Sequence, residues 1–177
     1  YHVKDWFSVT GSLHADFYDR FKRHERIDKR QKDYESSIYQ PRLTVTSNYF
    51  NGHSLILGME HTSDELTSDR FSGNANHDLK TRALKETEYF LQDEWTINPR
   101  WMISAGIRTN FSKAFGFMGM PKVAAKYSPD KHCSLRANYS MGYRSPSIKE
   151  LFFNWDHLGM FMIRGNENMR PEKNNYF

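Results

Sequence analysis

The chain is 177 residues long with a formal net charge of +4, 38% hydrophobic and 15% aromatic residues, and a mean hydropathy of −0.81. No run of about 18 apolar residues occurs, so a helical membrane span is excluded by length, and the lone Cys133 excludes an internal disulfide and a multi-cysteine zinc site. Low hydrophobicity with many aromatics is the composition of strands that set apolar side chains against polar ones.

The first element starts at Phe7. Phe7, Val9, Gly11, Leu13, Ala15 and Phe17 alternate with Ser8, Thr10, Ser12, His14 and Asp16, a period of two that predicts a strand with one apolar and one wet face. The stretch from Asp19 to Glu35 is basic but interrupted by acids throughout, and reads as a solvated loop. No nucleic-acid module surrounds it, so nucleic acid is not an expected partner. Tyr39, Leu43, Val45 and Tyr49 then oppose Gln40, Arg42, Thr44, Thr46 and Asn48. Pro41 removes a ladder donor there and predicts a bulge, or sheet that continues above a bilayer. After a turn at Asn51 and Gly52, Leu55, Leu57 and Met59 form the next apolar set, followed by a long connection from Asp64 to Lys85.

Tyr89, Leu91, Trp95 and Ile97 mark the next strand, with Asp93 breaking the apolar set and Glu88 and Glu94 on its polar side. Asn98-Pro99-Arg100 turns into Trp101, Ile103, Ala105 and Ile107, and a medium loop around Lys113 to Gly119 leads to Val123, Ala125 and Tyr127. A short turn at Ser128 to Lys131 precedes Leu135, Ala137, Tyr139, Met141 and Tyr143, whose parity places Cys133 on the lipid side near a strand end. A long loop from Ser145 to Glu172 follows, and an eighth strand starts at Lys173 to Phe177. Connections therefore alternate long and short, the rhythm of outer-membrane barrels with long external loops and short periplasmic turns. Alternation then puts His24, His61, His77 and His157 at the external end, and His53 and His132 at the other. Within the last loop, Ser147 followed by Glu150 is a capping-box spacing and predicts a helical turn over Ser147 to Phe153. The expected fold class is all-β: an antiparallel transmembrane β-barrel, partial, with about seven strands of a larger barrel.

Tyr143-Arg144-Ser145-Pro146-Ser147-Ile148-Lys149-Glu150-Leu151-Phe152-Phe153, then Gly165-Asn166-Glu167-Asn168-Met169-Arg170-Pro171-Glu172, resemble the paired boxes of TonB-dependent outer-membrane receptors. Ser145, Glu167 and Met169 depart from the usual residues. Leu57-Gly58-Met59-Glu60, Glu88 to Trp95, Ala105 to Arg108, Pro121-Lys122 and Leu135 to Ser140 look like successive barrel signatures of the same family, in the same order. The resemblance implies that residues 1–177 are a fragment of the receptor's β-barrel domain, an internal piece of a longer polypeptide whose N-terminal plug domain lies outside it. It implies a transport receptor in the bacterial outer membrane, not an enzyme and without a permanent cofactor. The implied partners are outer-membrane lipid and, through the plug, the TonB energy-transducing complex.

In the haem and haemoglobin receptors of this class a histidine between the boxes contacts haem, so His157 is the expected ligand to haem iron and haem or a haemoprotein the expected cargo. An imidazole on an external loop suits that axial position. Tyr143, Arg144, Trp155, Phe161, Arg164, Asn166 and His77 complete the expected binding set. Phe152, Phe153 and Met160 add ring-packing surface, and Lys149 is a further partner for propionates. Siderophore and cobalamin receptors share the framework, so another iron chelate or cobalamin is the alternative. A passive porin-like barrel and a soluble carbohydrate-binding β-protein are two further readings; the latter would gather the apolar faces into a dry interior between two sheets.

Overall fold

The computed structural model describes residues 2–24, 29–71, 78–157 and 159–177. The short β1 (His2–Lys4) turns into β2 (Phe7–His24), followed by β3 (Lys29–Ser47), β4 (His53–Ser68), a 3-10 turn at Asp69–Phe71, β5 (Lys80–Asn98), β6 (Trp101–Ser112), β7 (Gly116–Tyr127) and β8 (Leu135–Arg144). Beyond β8 come one helical turn, α1 (Ile148–Phe152), a small hairpin of β9 (Asn154–His157) and β10 (Phe161–Arg164), and β11 (Glu172–Tyr176). β1 to β8 and β11 form one nine-stranded antiparallel sheet in that order, so each strand lies beside its neighbour in sequence. The seven expected strands are β2 to β8, and the expected eighth is β11.

Register shows why the alternation matters. Val9 lies opposite Val45, Val45 opposite Leu57, Leu57 opposite Leu91, Leu91 opposite Ile107, and Ile107 opposite Pro121. One apolar row thus crosses six strands on a single face. Leu13, Phe17, Leu43, Leu57, Leu91, Ile107, Val123 and Leu135 are exposed on that face. Among the described residues they meet no second sheet. Leaving so many large side chains in water would forgo about 1.5–3 kcal/mol each, which a lipid environment removes.

Two aromatic rims bound the apolar band. At the end with the short turns, Trp6 packs on Tyr49 at 4.9 Å, His53 stacks on Trp95 at 5.2 Å and Trp101 on Tyr127 at 4.5 Å. At the other end Phe17 meets Tyr39 at 5.2 Å, and Phe111 meets Phe117 at 4.9 Å. Trp101 and Phe111 stand ten positions apart on β6, which at about 3.3 Å per residue and a tilt of about 40° gives a band about 25 Å tall, the height of a lipid-facing barrel wall. Asp93, the acid that breaks the set, accepts a 2.7 Å contact from His53 near the lower rim.

Four expectations are corrected. The stretches Asp19–Glu35 and Asp64–Lys85 are largely ladder, running from Asp19 opposite Glu35 to His24 opposite Lys29, and from Asp64 opposite Leu84 to Ser68 opposite Lys80. Above the upper rim no lipid sorts the outer face, and the lumen face is covered only at individual residues such as Leu66 and Tyr34, so backbone pairing continues after the hydrophobic period has vanished. Conversely, the medium loop is a three-residue turn at 113–115 closed by Gly116 at φ +76°. Pro41 pairs with Leu13 without a shift of register; the bulge sits at Asp33, between the pairs Arg20–Tyr34 and Phe21–Lys32. The sheet does extend above the band, as the other half of that expectation held. Cys133 is exposed in the β7–β8 turn, its N–H donating to Asp130, because β8 begins only at Leu135 and strand parity does not reach it.

The buried apolar core lies at the external end. Ile148 and Phe153, flanking the helical turn, pack on Tyr34 of β3, Leu66 of β4 and Phe71, with Leu84 and Phe152 beside them. Leu66 and Leu84 share strand parity with Glu60 and Glu88, on the polar face of the wall. The last loop therefore folds over the lumen side of the sheet.

Candidate functional site

The base of the last loop is fixed by the predicted capping box. Ser147 accepts the Glu150 N–H at 3.3 Å, while the Ser147 N–H donates to the Glu150 carboxylate at 2.8 Å. Arg144, at the end of β8, donates to Glu150 at 2.6 Å and to Glu172, at the start of β11, at 3.3 Å. The Ser147 backbone N–H, the Arg144 guanidinium and the Ser147 hydroxyl push the Glu150 carboxyl down to about 2, because each favours the charged form. The return segment docks on the same turn: the Gly165 N–H donates to Phe153 at 2.5 Å and the Asn166 N–H to Glu150 at 2.9 Å. A side chain at position 165 would meet the Leu151 carbonyl at 2.6 Å, so glycine permits this approach.

Both sequence boxes thus act as a brace. Arg144, Glu150, Asn166 and Glu172 hold β8, α1 and β11 together, and Asn166 further accepts the Asn168 N–H at 3.0 Å. Burial then seats the brace on the wall: Ile148 is 2% exposed, which contributes about 1.5–3 kcal/mol. Phe71 and Phe153 lie 5.4 Å apart, Lys149 lies over the Tyr34 ring, and Arg82 lies over Phe152 at 4.8 Å.

A part-buried polar network adjoins this core. Asp33, the bulge residue, accepts from Arg20 at 2.6 Å and faces Lys22 at 3.4 Å; Lys22 also reaches Asp69 at 2.9 Å. Burial alone would raise the Asp33 carboxyl, but Arg20 and Lys22 outweigh it and hold it below its ordinary value. Next to Asp69, the Arg70 guanidinium lies over the Trp155 ring at 4.0 Å, tying the β9–β10 hairpin to the end of β4. Sequence reasoning missed this network. Its signal was the interleaving of acids and bases between Asp19 and Asp33, which had read as solvation.

The expected ligand residues divide accordingly. Arg144 and Asn166 belong to the brace yet stay exposed, whereas Phe153 is buried in the core and Phe152 lies half-buried beside it. Tyr143 is half-buried opposite Lys173. Trp155 is half-buried under Arg70, whereas Met160 and Phe161 are exposed on the hairpin. Arg164 ends β10 opposite Asn154, with Nε 3.1 Å from the Met162 sulfur. His157 closes β9 opposite Phe161; its side chain and the whole of His77 lie outside the described residues. His61 bonds to Thr87 at 2.9 Å on the strand parity of Met59 and Tyr89, the outward face, away from anything in the lumen.

Deeper in the lumen the polar face carries a charge ladder. Arg42 pairs with Glu60 at 3.5 Å, Arg108 with Glu60 at 3.9 Å and with Glu88, and Asn110, fully buried, donates to Glu86 and Glu88 at 3.2 Å each. Glu88 is therefore an ion-paired wall residue.

The family model described as TonB dependent receptor-like, beta-barrel matches residues 2–177. An iron-regulated outer membrane virulence protein of Vibrio cholerae is 24% identical over 97% of this chain and 25% of its own length. The chain spans about a quarter of the length of the curated relatives it matches. Among solved structures, a ferric enterobactin receptor of Pseudomonas aeruginosa superposes with a TM-score of 0.78 at 15% identity, over 96% of this chain and 29% of that one. The siderophore receptor PirA of Acinetobacter baumannii superposes with a TM-score of 0.68 at 12% identity, over 96% and 29%.

Proposed function

The chain belongs to the TonB-dependent receptor-like β-barrel family, and from that premise we propose that the whole protein captures a ferric siderophore at its external mouth for TonB-driven uptake. The wall described here lies in the bacterial outer membrane. The observation that carries the reading is the last loop: α1 is clamped onto the lumen side of the wall by Ile148 and Phe153, so the β9–β10 hairpin is held at the mouth. Relatives that are iron-regulated, or that are receptors for ferric enterobactin and other siderophores, support an iron chelate as the cargo. Such uptake is binding followed by energy-driven movement, with no bond made or broken in the cargo. Contact with TonB belongs to a plug domain of the intact receptor.

Haem is the second reading, favoured by the position of His157 at the hairpin end, between the two boxes and beside exposed Met160 and Phe161. Titrating the intact receptor with a ferric siderophore, haem and a cobalamin separates the readings. Saturable binding of the ferric siderophore is expected. Haem binding whose Soret band shifts in His157→Ala would replace it with the haem reading, and binding of cobalamin alone would overturn both.

A further inference from the structure

The wall forks at its upper end. β7 pairs with β6 along its whole length, up to Gly116 opposite Ser112. Its pairing with β8 runs only from Tyr127 opposite Leu135 to Lys122 opposite Ser140 and stops at Pro121, which has no N–H to give. β8 instead continues upward with β11, from Ser140 opposite Tyr176 to Arg144 opposite Glu172. Between the diverging strands, under α1, lies a cavity of about 820 Å³, within the range of small-molecule sites, about 300–1,000 Å³.

Its lining has two parts. Phe115 and Phe152 bring aromatic rings, and Met118 and Met169 bring polarisable thioethers. Arg170 and Lys173 stand on the rim, and neither makes an ion pair among the described residues. Glu167 is the one acid there. Arg82, over the ring of the lining residue Phe152 at 4.8 Å, adds a third positive charge beside the cavity. The cavity is separate from the hairpin that carries His157.

We propose that this fork is a binding site for an anionic iron chelate that carries aryl rings. The inference rests on the iron-chelate reading above and names the chemistry that the receptor selects. Aryl rings bury against Phe and Met with edge and sulfur contacts that a purely aliphatic chelate does not make. Negatively charged oxygens on the metal or on the ring periphery meet Arg170 and Lys173 as charge-assisted partners. An iron catecholate and a ferric porphyrin share this chemistry; an aliphatic trihydroxamate chelate, without aryl rings and with a neutral iron centre, lacks it.

The test uses the intact receptor and three probes: ferric enterobactin, haem and a ferric hydroxamate. Arg170→Glu combined with Lys173→Glu should weaken binding of the aryl chelate by about tenfold or more, since reversal sets the anion against like charge at the rim. Met118→Trp, which fills the cavity without altering charge, should weaken it as well. Lys131→Glu, in a turn at the opposite end of the barrel, serves as the charge control and should change nothing. Loss confined to ferric enterobactin identifies a catecholate source, and loss confined to haem identifies a porphyrin; both support the site. Unchanged affinity in the cavity variants, or an equal loss for the hydroxamate, overturns it. A receptor that binds only the hydroxamate also overturns the site while leaving iron-chelate uptake intact, and one that binds no iron chelate removes both.

Discussion

Between its aromatic rims the wall repeats one arrangement strand after strand, whereas above the upper rim every strand pair is different. Inside the band the solvent does the sorting: lipid on one face and water on the other force a period of two, and Val9, Val45, Leu57, Leu91 and Ile107 fall into line. Above it, no lipid sorts the outer face of the long β2–β5 hairpins, and on the lumen face order comes from specific partners such as Asp33 with Arg20 and Ile148 with Leu66. The band is tolerant of which apolar residue is used. The external part depends on individual side chains.

That contrast can be broken most severely at the core under the last loop. Ile148→Ala in the intact receptor should cost about 2–5 kcal/mol at the loop's seat, seen as protease cleavage within 145–171 while the barrel keeps its resistance. Cleavage no faster than in the unaltered receptor would show that the core does not hold the loop. In the band, Leu57→Arg should cost about 2–4 kcal/mol in refolding into lipid, because the charge faces the bilayer near its middle. The same change at Thr67, above the rim, should be close to neutral, and equal costs at both positions would sink the two-region picture.

Smaller effects sharpen it. Asp33→Asn leaves Arg20 without its carboxylate and Lys22 with Asp69 alone; discounted for the partial exposure of Arg20, the cost is about 1–2 kcal/mol. Hydrogen exchange should quicken in the upper halves of β2 and β3 and stay slow below Tyr39. Ser147→Ala removes the cap of α1 at about 1 kcal/mol, read as faster exchange at the Glu150 amide. Acid should loosen the same brace. Because the folded Glu150 carboxyl sits at about 2, below its ordinary value, its contribution is present above about pH 4.5 and is lost as pH falls towards 2. Protease sensitivity of the loop should rise across that window in the native receptor, and Glu150→Gln should flatten the rise.

Whereas β1 and the β9–β10 hairpin are not legible in the sequence, the order of the barrel signatures, the seven long strands β2 to β8 with β11 after them, and the capping box at Ser147 and Glu150 are. Each is local: a strand's parity, a turn's composition and a cap three residues long need no distant partner. The candidate site was legible only as a list. Arg144, Asn166, Trp155 and Phe161 were grouped by nearness in the chain, and the fold separates them into a brace, a clamped ring and an exposed tip. Ranges that read as loops, Asp19–Glu35 and Asp64–Lys85, are largely hairpins, because a ladder outside the lipid band pairs through its backbone and needs no period of two.

By itself, then, the sequence determined an antiparallel wall of lipid-spanning strands with its external and periplasmic ends assigned, since alternation and turn length are set by solvent and backbone geometry alone. Only the tertiary structure decided that the last loop folds onto the lumen side, that Asp33 and not Pro41 makes the bulge, and that β7 parts from β8 above Lys122 to leave a lined cavity. Those outcomes turn on which residues far apart in the chain meet across strands, and a period of two carries no information about that meeting.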